Sequence, residues 1–221
     1  MYALRPGLHY AVSNGRVAFL DVARDRYFCL PTGLEPAFLQ SIGNEDDLDP
    51  AVARDLVAHH VLVQALPATE PYAPAHPLQP TSSLLEGSTP PAGCKGGSLG
   101  VLAVVARTCL REKVLPFSAR LAHLKVGKSR AGSSPPASEI PPLEEAVHRF
   151  VRYRPLAPVE RSCLRDSLAL ADYLVARGHL PELVIGVMMD PFAAHCWLQS
   201  GQMVLNDGVD RPASFSPILV V

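Results

Sequence analysis

The stretch PVERSCLRDSLALADYL, residues 158–174, decides how the last third of the chain folds. Its apolar residues recur at helical spacing from Leu164 to Val175, and Gly178 beyond them is a typical helix stop. Cys163 lies in the first turn of this helix. A free cysteine is usually a small buried apolar residue, but the free N–H groups at a helix start also favour a thiolate. Cys163 is therefore either a structural thiol or a nucleophile.

A second stretch, FAAHCWLQSGQMVLNDG (192–208), predicts a β-hairpin after the buried strand LVIGVMM (183–189). Ser200-Gly201 is a turn signal between the strand-like runs on either side of it. In an antiparallel pair with this turn, His195 falls near Asp207 on a shared face of the sheet. We therefore predict a helix followed by three strands, with His195 and Asp207 within reach of each other.

These residues have the types that cysteine-based acyl chemistry requires. A thiol nucleophile needs an imidazole to exchange a proton and a third group to orient the ring. We predict these three roles for Cys163, His195 and Asp207, respectively. Cys196 adjoins His195, so the two side chains leave opposite faces of a strand, and Cys196 is the poorer nucleophile. For the same reason Asn206 ranks below Asp207 as the orienting residue.

Composition excludes several classes of protein. The formal net charge is −1 and the basic residues are scattered, which disfavours a nucleic-acid partner. The five cysteines form no CxxC pair, so neither a disulfide framework nor a metal site is expected, and we predict no cofactor. The longest apolar run, LGVLAVVARTCL (99–110), is shorter than the roughly 20 residues that span a bilayer. We expect a cytoplasmic protein without a membrane span.

The N-terminal segment, residues 1–66, predicts a small α+β domain. Residues 8–30 form three strand-like runs, with Asn14-Gly15 as a tight-turn signal between the first two. Residues 33–43 and 48–63 follow helical spacing. We expect this domain to have a core of its own, separate from that of the C-terminal domain.

The middle of the chain is rich in proline and glycine. Residues 67–97 have a composition that predicts a linker, and residues 127–142 form a second stretch of the same kind. Helices are predicted over residues 98–115, with Ser98 as the N-cap, and over residues 143–153. The C-terminal domain is therefore assigned to residues 98–221.

The quoted motifs carry a family resemblance. The runs CLRDSLALADYL, LVIGV, PFAAHCWLQ and VLND resemble the transglutaminase-like cysteine peptidases of lasso peptide biosynthesis. The resemblance implies a papain/transglutaminase-like fold and removal of the leader from a ribosomally made precursor. The freed core would then pass to an ATP-dependent, asparagine synthetase-like cyclase for macrolactam formation. The catalytic Cys, His and Asp of that family match Cys163, His195 and Asp207.

Residues 1–66 resemble a second module, the PqqD-like RiPP recognition element. Such modules are winged-helix-like, with three strands and three helices, and the leader peptide adds as a strand to the third strand. That strand here is RYFCL (26–30). The resemblance implies these leader-binding residues: Tyr27, Phe28, Cys29, Leu30, Val52 and Leu56.

Three alternatives remain at the level of sequence. The same thioester chemistry serves an acyltransferase or transglutaminase, in which an amine replaces water. A non-catalytic scaffold that only delivers the precursor is the second alternative. The third, a winged-helix transcription factor, is disfavoured because the segment DPAVARDLVAHH (49–60) offers only Arg54 as a basic recognition residue.

Overall fold

The computed structural model describes residues 2–43, 49–64, 77–87, 97–132 and 142–221. Within these residues the protein is a mixed α+β structure, which confirms the α+β part of the predicted fold class. The strands form a three-stranded N-terminal sheet, a two-stranded ladder and a five-stranded C-terminal sheet.

The N-terminal part begins with a meander of antiparallel strands. Its elements are β1 (Tyr2–Leu4), β2 (Leu8–Ser13), β3 (Arg16–Asp21), β4 (Arg26–Cys29), α1 (Glu35–Gly43), α2 (Pro50–Ala58) and β5 (Leu62–Gln64). β2, β3 and β4 are the three predicted strands, and β4 is a terminal strand of its sheet. Asn14 (φ 50°) and Gly15 (φ 74°) close the first hairpin, as predicted. Residues 2–43 and 49–64 contain no third α-helix, and the winged-helix similarity stays a prediction.

The second predicted helix is too long at its C-terminal end. α2 ends at Ala58, and His60 adopts a positive φ of 59° that turns the chain out of the helix. Residues 62–64 then form β5, which pairs antiparallel with β1. A short apolar run fits either a helix or a strand by periodicity alone, and the distant partner β1 selects the strand.

The N-terminal sheet packs on both of its faces. Helices α1 and α2 pack against one face of the sheet, and the contact is a buried cluster that includes Phe19 and Phe38. On the other face, Ala11, Ala18 and Leu20 belong to the same buried cluster as the C-terminal helices and strands. The N-terminal part therefore has a buried cluster of its own, and the second face of its sheet also packs against the C-terminal helices and strands.

The C-terminal part places a helix against a five-stranded sheet. Its elements are β6 (Ser82–Ser83), α3 (Ser98–Val114), α4 (Phe117–Ala131), α5 (Leu143–Tyr153), α6 (Cys163–Val175), β7 (Glu182–Met188), β8 (Ala193–Ser200), β9 (Met203–Val204), α7 (Asp210–Ala213) and β10 (Ser216–Val220). The strand order is β10-β7-β8-β9-β6. α6 contacts β8 and is surrounded by α3, α4 and α5. None of the helices in the described part of the chain is long and apolar enough to cross a membrane.

The proline-rich and glycine-rich stretches contain more structure than their composition indicates. α4 was not predicted, and it includes residues 127–131 of the second stretch; residues 133–141 lie outside the described residues. Gly127 lies where α4 approaches α6, since a Cβ there would stand 3.4 Å from Val175 Cγ1. Gly97, not Ser98, is the N-cap of α3. In the predicted linker, residues 67–76 and 88–96 lie outside the described residues, whereas residues 82–83 form β6, parallel to β9.

Candidate active site

Cys163 is the first residue of α6, and its side chain is exposed. As the first helical residue it carries an N–H group without an intrahelical acceptor. The turn before it is held by Arg154, whose side chain is only 1% exposed. The guanidinium donates to Asp166 Oδ1, from Nε at 2.8 Å and Nη2 at 2.7 Å, and also to the backbone oxygen of Val159. This buried ion pair, which no sequence pattern indicated, fixes the turn that presents the thiol.

His195 and Asp207 are in contact, as the hairpin predicted. The distance from His195 Nε2 to Asp207 Oδ2 is 2.6 Å. The other carboxylate oxygen, Oδ1, accepts a hydrogen bond from the Gly208 N–H at 2.9 Å. Two bonds thus hold the carboxylate, and the carboxylate holds an imidazole that is only 4% exposed.

The second nitrogen of the His195 ring is the one that can exchange a proton with the thiol. His195 Nδ1 is buried and has no hydrogen-bond partner among the described residues. The neighbouring His195 side chain is nevertheless the chief cause that lowers the pKa of the Cys163 thiol, against the opposing effect of burial. Since Asp207 occupies Nε2, Nδ1 is the ring nitrogen that remains for the thiol. A lowered pKa increases the thiolate fraction at neutral pH, as nucleophilic attack requires.

Cys196 lies in a different environment from Cys163. Its side chain is buried in the core cluster between the helices and the sheet, and burial raises the pKa of its thiol. Ser167 of α6 donates to the backbone oxygen of Cys196 at 3.1 Å, and Asn206 Nδ2 donates to Ser167 Oγ at 2.8 Å. Asn206 therefore connects the end of β9 to α6 rather than orienting the imidazole.

Two aromatic side chains pack against the imidazole and keep it in place. The His195 ring stacks on Trp197 (centroids 5.9 Å apart, 20° between planes) and contacts Phe215 at 5.3 Å. Gly186, opposite His195 on β7, makes room for both rings, because a Cβ there would lie 2.8 Å from Phe215 and 2.9 Å from Trp197. Trp197 Nε1 in turn donates to the buried Gln199 at 2.9 Å. These residues carry no chemistry of their own, so the sequence pattern gave no reason to select them.

The predicted linker supplies a further support for Asp207. Ser83 Oγ donates to the backbone oxygen of Asp207 at 2.6 Å, and Leu85 lines the same cleft as Cys163. The Glu86 carboxylate accepts from the Val209 N–H at 3.3 Å. The only sequence signal was the apolar pair Leu84-Leu85 within an otherwise polar and proline-rich stretch.

Replacing Ser83 with alanine is expected to lower kcat about fivefold without a matching change in KM, since one hydrogen bond is worth ~1 kcal/mol. The loss arises because the Asp207 loop moves relative to His195. Ser83→Thr, which keeps the hydroxyl, should restore most of the rate. Ser82→Ala is the matched control, because Ser82 lies on the same strand with an exposed side chain. Equal effects of Ser82→Ala and Ser83→Ala on kcat would contradict a positioning role for Ser83.

The predicted peptide-binding residues divide into two groups. Tyr27, Phe28 and Cys29 lie on the edge strand β4, Phe28 stacked on Phe19 and Cys29 exposed. Val52 is half-buried on α2. Leu30 and Leu56 are 3% and 0% exposed. Their inclusion on a peptide-binding surface is therefore corrected: both pack inside the N-terminal core, and their apolar character reflects that packing.

Tyr27 links the N-terminal sheet to the candidate active site. Its ring contacts Phe192, which precedes β8, with centroids 5.5 Å apart. Burial raises the pKa of the Tyr27 phenol, and the charges of Cys196, Asp25 and Cys163 add to the rise. The edge strand thus begins close to Cys163 and Cys196 of the C-terminal domain.

The side chains around Cys163 line a cleft of about 340 Å³. It contains the exposed thiol, the imidazole and the carboxylate, together with several arginine side chains. A space of this size holds a few residues of an extended peptide, and the arrangement suits acyl transfer from an amide carbonyl to sulfur.

Comparison with known proteins agrees with this geometry. The family described as the transglutaminase-like superfamily matches residues 102–220, from α3 to β10. Domains of this superfamily are typically cysteine-protease-like enzymes. No curated protein and no solved structure matches the chain significantly. Because the matched range covers more than half of the sequence, the chain belongs to the transglutaminase-like superfamily.

Proposed function

We propose that this protein is a cysteine peptidase that binds and removes the leader of a ribosomally synthesised lasso peptide precursor. The observation that carries the proposal is the exposed Cys163 thiol, whose pKa is lowered by His195 while Asp207 holds the other side of the ring. The specific assignment to lasso peptides rests on the resemblance of the motifs around these residues.

The proposed reaction has two steps. Cys163 Sγ attacks the carbonyl carbon at the junction of leader and core, and the thiol proton passes to His195 Nδ1. His195 then donates that proton to the leaving amine, so the C–N bond breaks and the leader remains as a thioester on Cys163. Water hydrolyses the thioester, which returns the thiol and releases the leader as a carboxylate. The free N–H of Cys163 at the start of α6 is suited to stabilise the oxyanion.

Leader recognition is proposed at the outer edge of β4. Phe28 lies opposite Phe19, and Val22 donates to Gly7 across the other edge of β3. Since alternate residues of an antiparallel strand bond on alternate sides, Phe28 bonds inward, and the backbone groups of Tyr27 and Cys29 point outward. An extended leader can bond to them as an added strand. Tyr27 contacts Phe192 at the start of β8, so a leader on β4 has a short path to the cleft.

The edge-strand proposal predicts a specific effect of proline. Cys29→Pro removes an outward N–H and should raise the Kd for the leader about fivefold or more, since a net hydrogen bond is worth ~1 kcal/mol. KM for the precursor should rise while kcat is kept. Cys29→Ser is the matched control, because it removes the thiol but retains the N–H. Calorimetric titration of both full-length variants with a synthetic leader measures the difference. Equal affinity of the two variants would exclude β4 as the docking strand.

Product analysis separates peptidase from acyltransferase activity. The full-length protein is incubated with a synthetic precursor peptide encoded beside its gene, and the products are identified by mass spectrometry. A leader ending in a free carboxylate supports hydrolysis, and an amide-linked leader supports transfer to an amine. Release of an intact leader and core would also supply the amine that a separate ATP-dependent cyclase consumes. If the precursor binds but no bond is cleaved, the protein is a delivery scaffold and the proposal is wrong.

A further inference from the structure

Three guanidinium groups line the cleft beside the Cys163 thiol, and they are not equivalent. Arg154 is fully engaged, since it is buried against Asp166 and the backbone oxygens of Val159 and Glu160. It therefore has a structural role, as described above. Arg161 and Arg211 are exposed and belong to the rim of the same cleft.

Both rim arginines have hydrogen-bond donors that no described residue accepts from. Arg161 makes one ion pair, from Nε to Asp166 Oδ2 at 3.3 Å, and its side chain is 67% exposed. Arg211, on α7, makes no ion pair and no side-chain hydrogen bond with any described residue. An arginine can donate five hydrogen bonds, most of which are unused in these two side chains.

The carboxylates of the cleft neutralise this rim only in part. Asp166 is shared between Arg154 and Arg161, and Asp207 pairs with His195. The Glu86 carboxylate, which accepts from the Val209 N–H, does not line the cleft. The lining thus holds three arginines against two aspartates, and the surplus of positive charge lies at the rim.

We infer that Arg161 and Arg211 form a carboxylate-binding subsite, which selects substrates with an aspartate or glutamate side chain close to the scissile bond. The planar guanidinium matches a carboxylate and can bind it through two parallel hydrogen bonds. The inference deepens the proposed function and rests on it, because the subsite is defined by its position next to the nucleophile.

Charge-matched alkylating reagents test the subsite without a natural substrate. Iodoacetate and iodoacetamide attach the same two-carbon unit to a thiolate, but only iodoacetate carries a carboxylate. The rate constants for Cys163 are measured by peptide mass spectrometry, and their ratio is compared with that of free cysteine. The ratio should favour iodoacetate in the wild-type protein. It should fall about fivefold in the double variant Arg161→Gln/Arg211→Gln, a loss typical of two partly exposed ion pairs.

Controls distinguish a site from general electrostatics. Arg211→Lys keeps the charge and should retain most of the preference, and Arg107→Gln removes an exposed arginine of α3 that does not line the cleft. The preference should also shrink between about 0.01 M and about 1 M ionic strength, where the Debye length falls from about 30 Å to about 3 Å. An equal drop in the ratio for Arg107→Gln, or an unchanged ratio in the double variant, would overturn the subsite.

The alkylation experiment can disprove the subsite and the proposed function independently of each other. Because any thiol reacts once ionised, the ratio at alkaline pH reports on the rim arginines even if Cys163 is not a nucleophile. The absolute iodoacetamide rate at neutral pH reports on the thiolate itself. A peptide substrate whose acidic residue beside the cleaved bond is replaced by its amide should lose kcat/KM about fivefold in the wild-type protein, and show no loss in the double variant.

Discussion

Cys163→Ala is expected to abolish peptide cleavage while leaving the fold intact. Without the sulfur no acyl-enzyme can form, and the remaining groups can only orient the substrate, so the rate should fall about 10⁴-fold or more. Because Cys163 is exposed at the start of α6, its replacement leaves no buried cavity and the unfolding midpoint should hardly change. Mass spectrometry of precursor products under single-turnover conditions measures the loss, and circular dichroism checks the fold.

Cys196→Ala is the matched control for this variant. Cys196 is buried on the other face of β8, so its removal should leave activity within about tenfold, a barrier change of about 1.4 kcal/mol. It should instead lower stability, because a core side chain is shortened. An inactive Cys196→Ala protein together with an active Cys163→Ala protein would reverse the assignment of the nucleophile.

His195→Gln is expected to have the second largest effect, a fall in kcat of about 10²- to 10⁴-fold, as for loss of a general acid and base. It should also change the pH dependence of the thiol. The thiolate forms as pH rises through the thiol pKa, and the neighbouring His195 side chain is the chief cause that lowers this pKa. In the wild-type protein, alkylation of Cys163 by iodoacetamide should therefore rise at a lower pH than that of a free cysteine, which titrates near about 8.5.

In His195→Gln the lowering by His195 is lost, whereas burial continues to raise the pKa. The midpoint of the alkylation profile should move to higher pH. His123→Gln, which replaces an exposed histidine of α4, is the control and should leave the midpoint in place. An unchanged midpoint in His195→Gln would mean that the imidazole does not interact with the thiol in solution.

The candidate nucleophile and its partners could be predicted because they depend on local patterns. Helical spacing located the start of α6, and the alternation of strand side chains separated Cys196 from His195. The hairpin between β8 and β9 brings His195 and Asp207 together, although its turn is at Gly201-Gln202, one residue later than the predicted Ser200-Gly201. The three residues lie within about 45 positions of one another in the chain. Over that distance, turn chemistry and the period of strand side chains are sufficient to predict which residues meet.

Prediction was less successful where a segment depends on a distant partner. β5 forms because β1 lies beside it, and β6 forms within a proline-rich stretch because β9 offers a free edge. Composition records the propensity of a segment, but a strand of two or three residues is stabilised almost entirely by its neighbour. Leu30 and Leu56 illustrate the same difficulty of prediction. The sequence shows that they are apolar, but an apolar residue is suited both to a core and to a peptide-binding surface, and only the structure shows that these two are buried.

The sequence by itself determined the helix and strand types of the last third, the choice of Cys163 over Cys196, and the pairing of His195 with Asp207. Only the tertiary structure decided that Ser83 supports Asp207, that Arg154 fixes the turn before Cys163, and that Arg161 and Arg211 share one cleft. The physical reason is that these contacts join elements far apart in the chain or on separate loops. Their geometry follows from how the core packs as a whole, and no periodicity along the sequence encodes it.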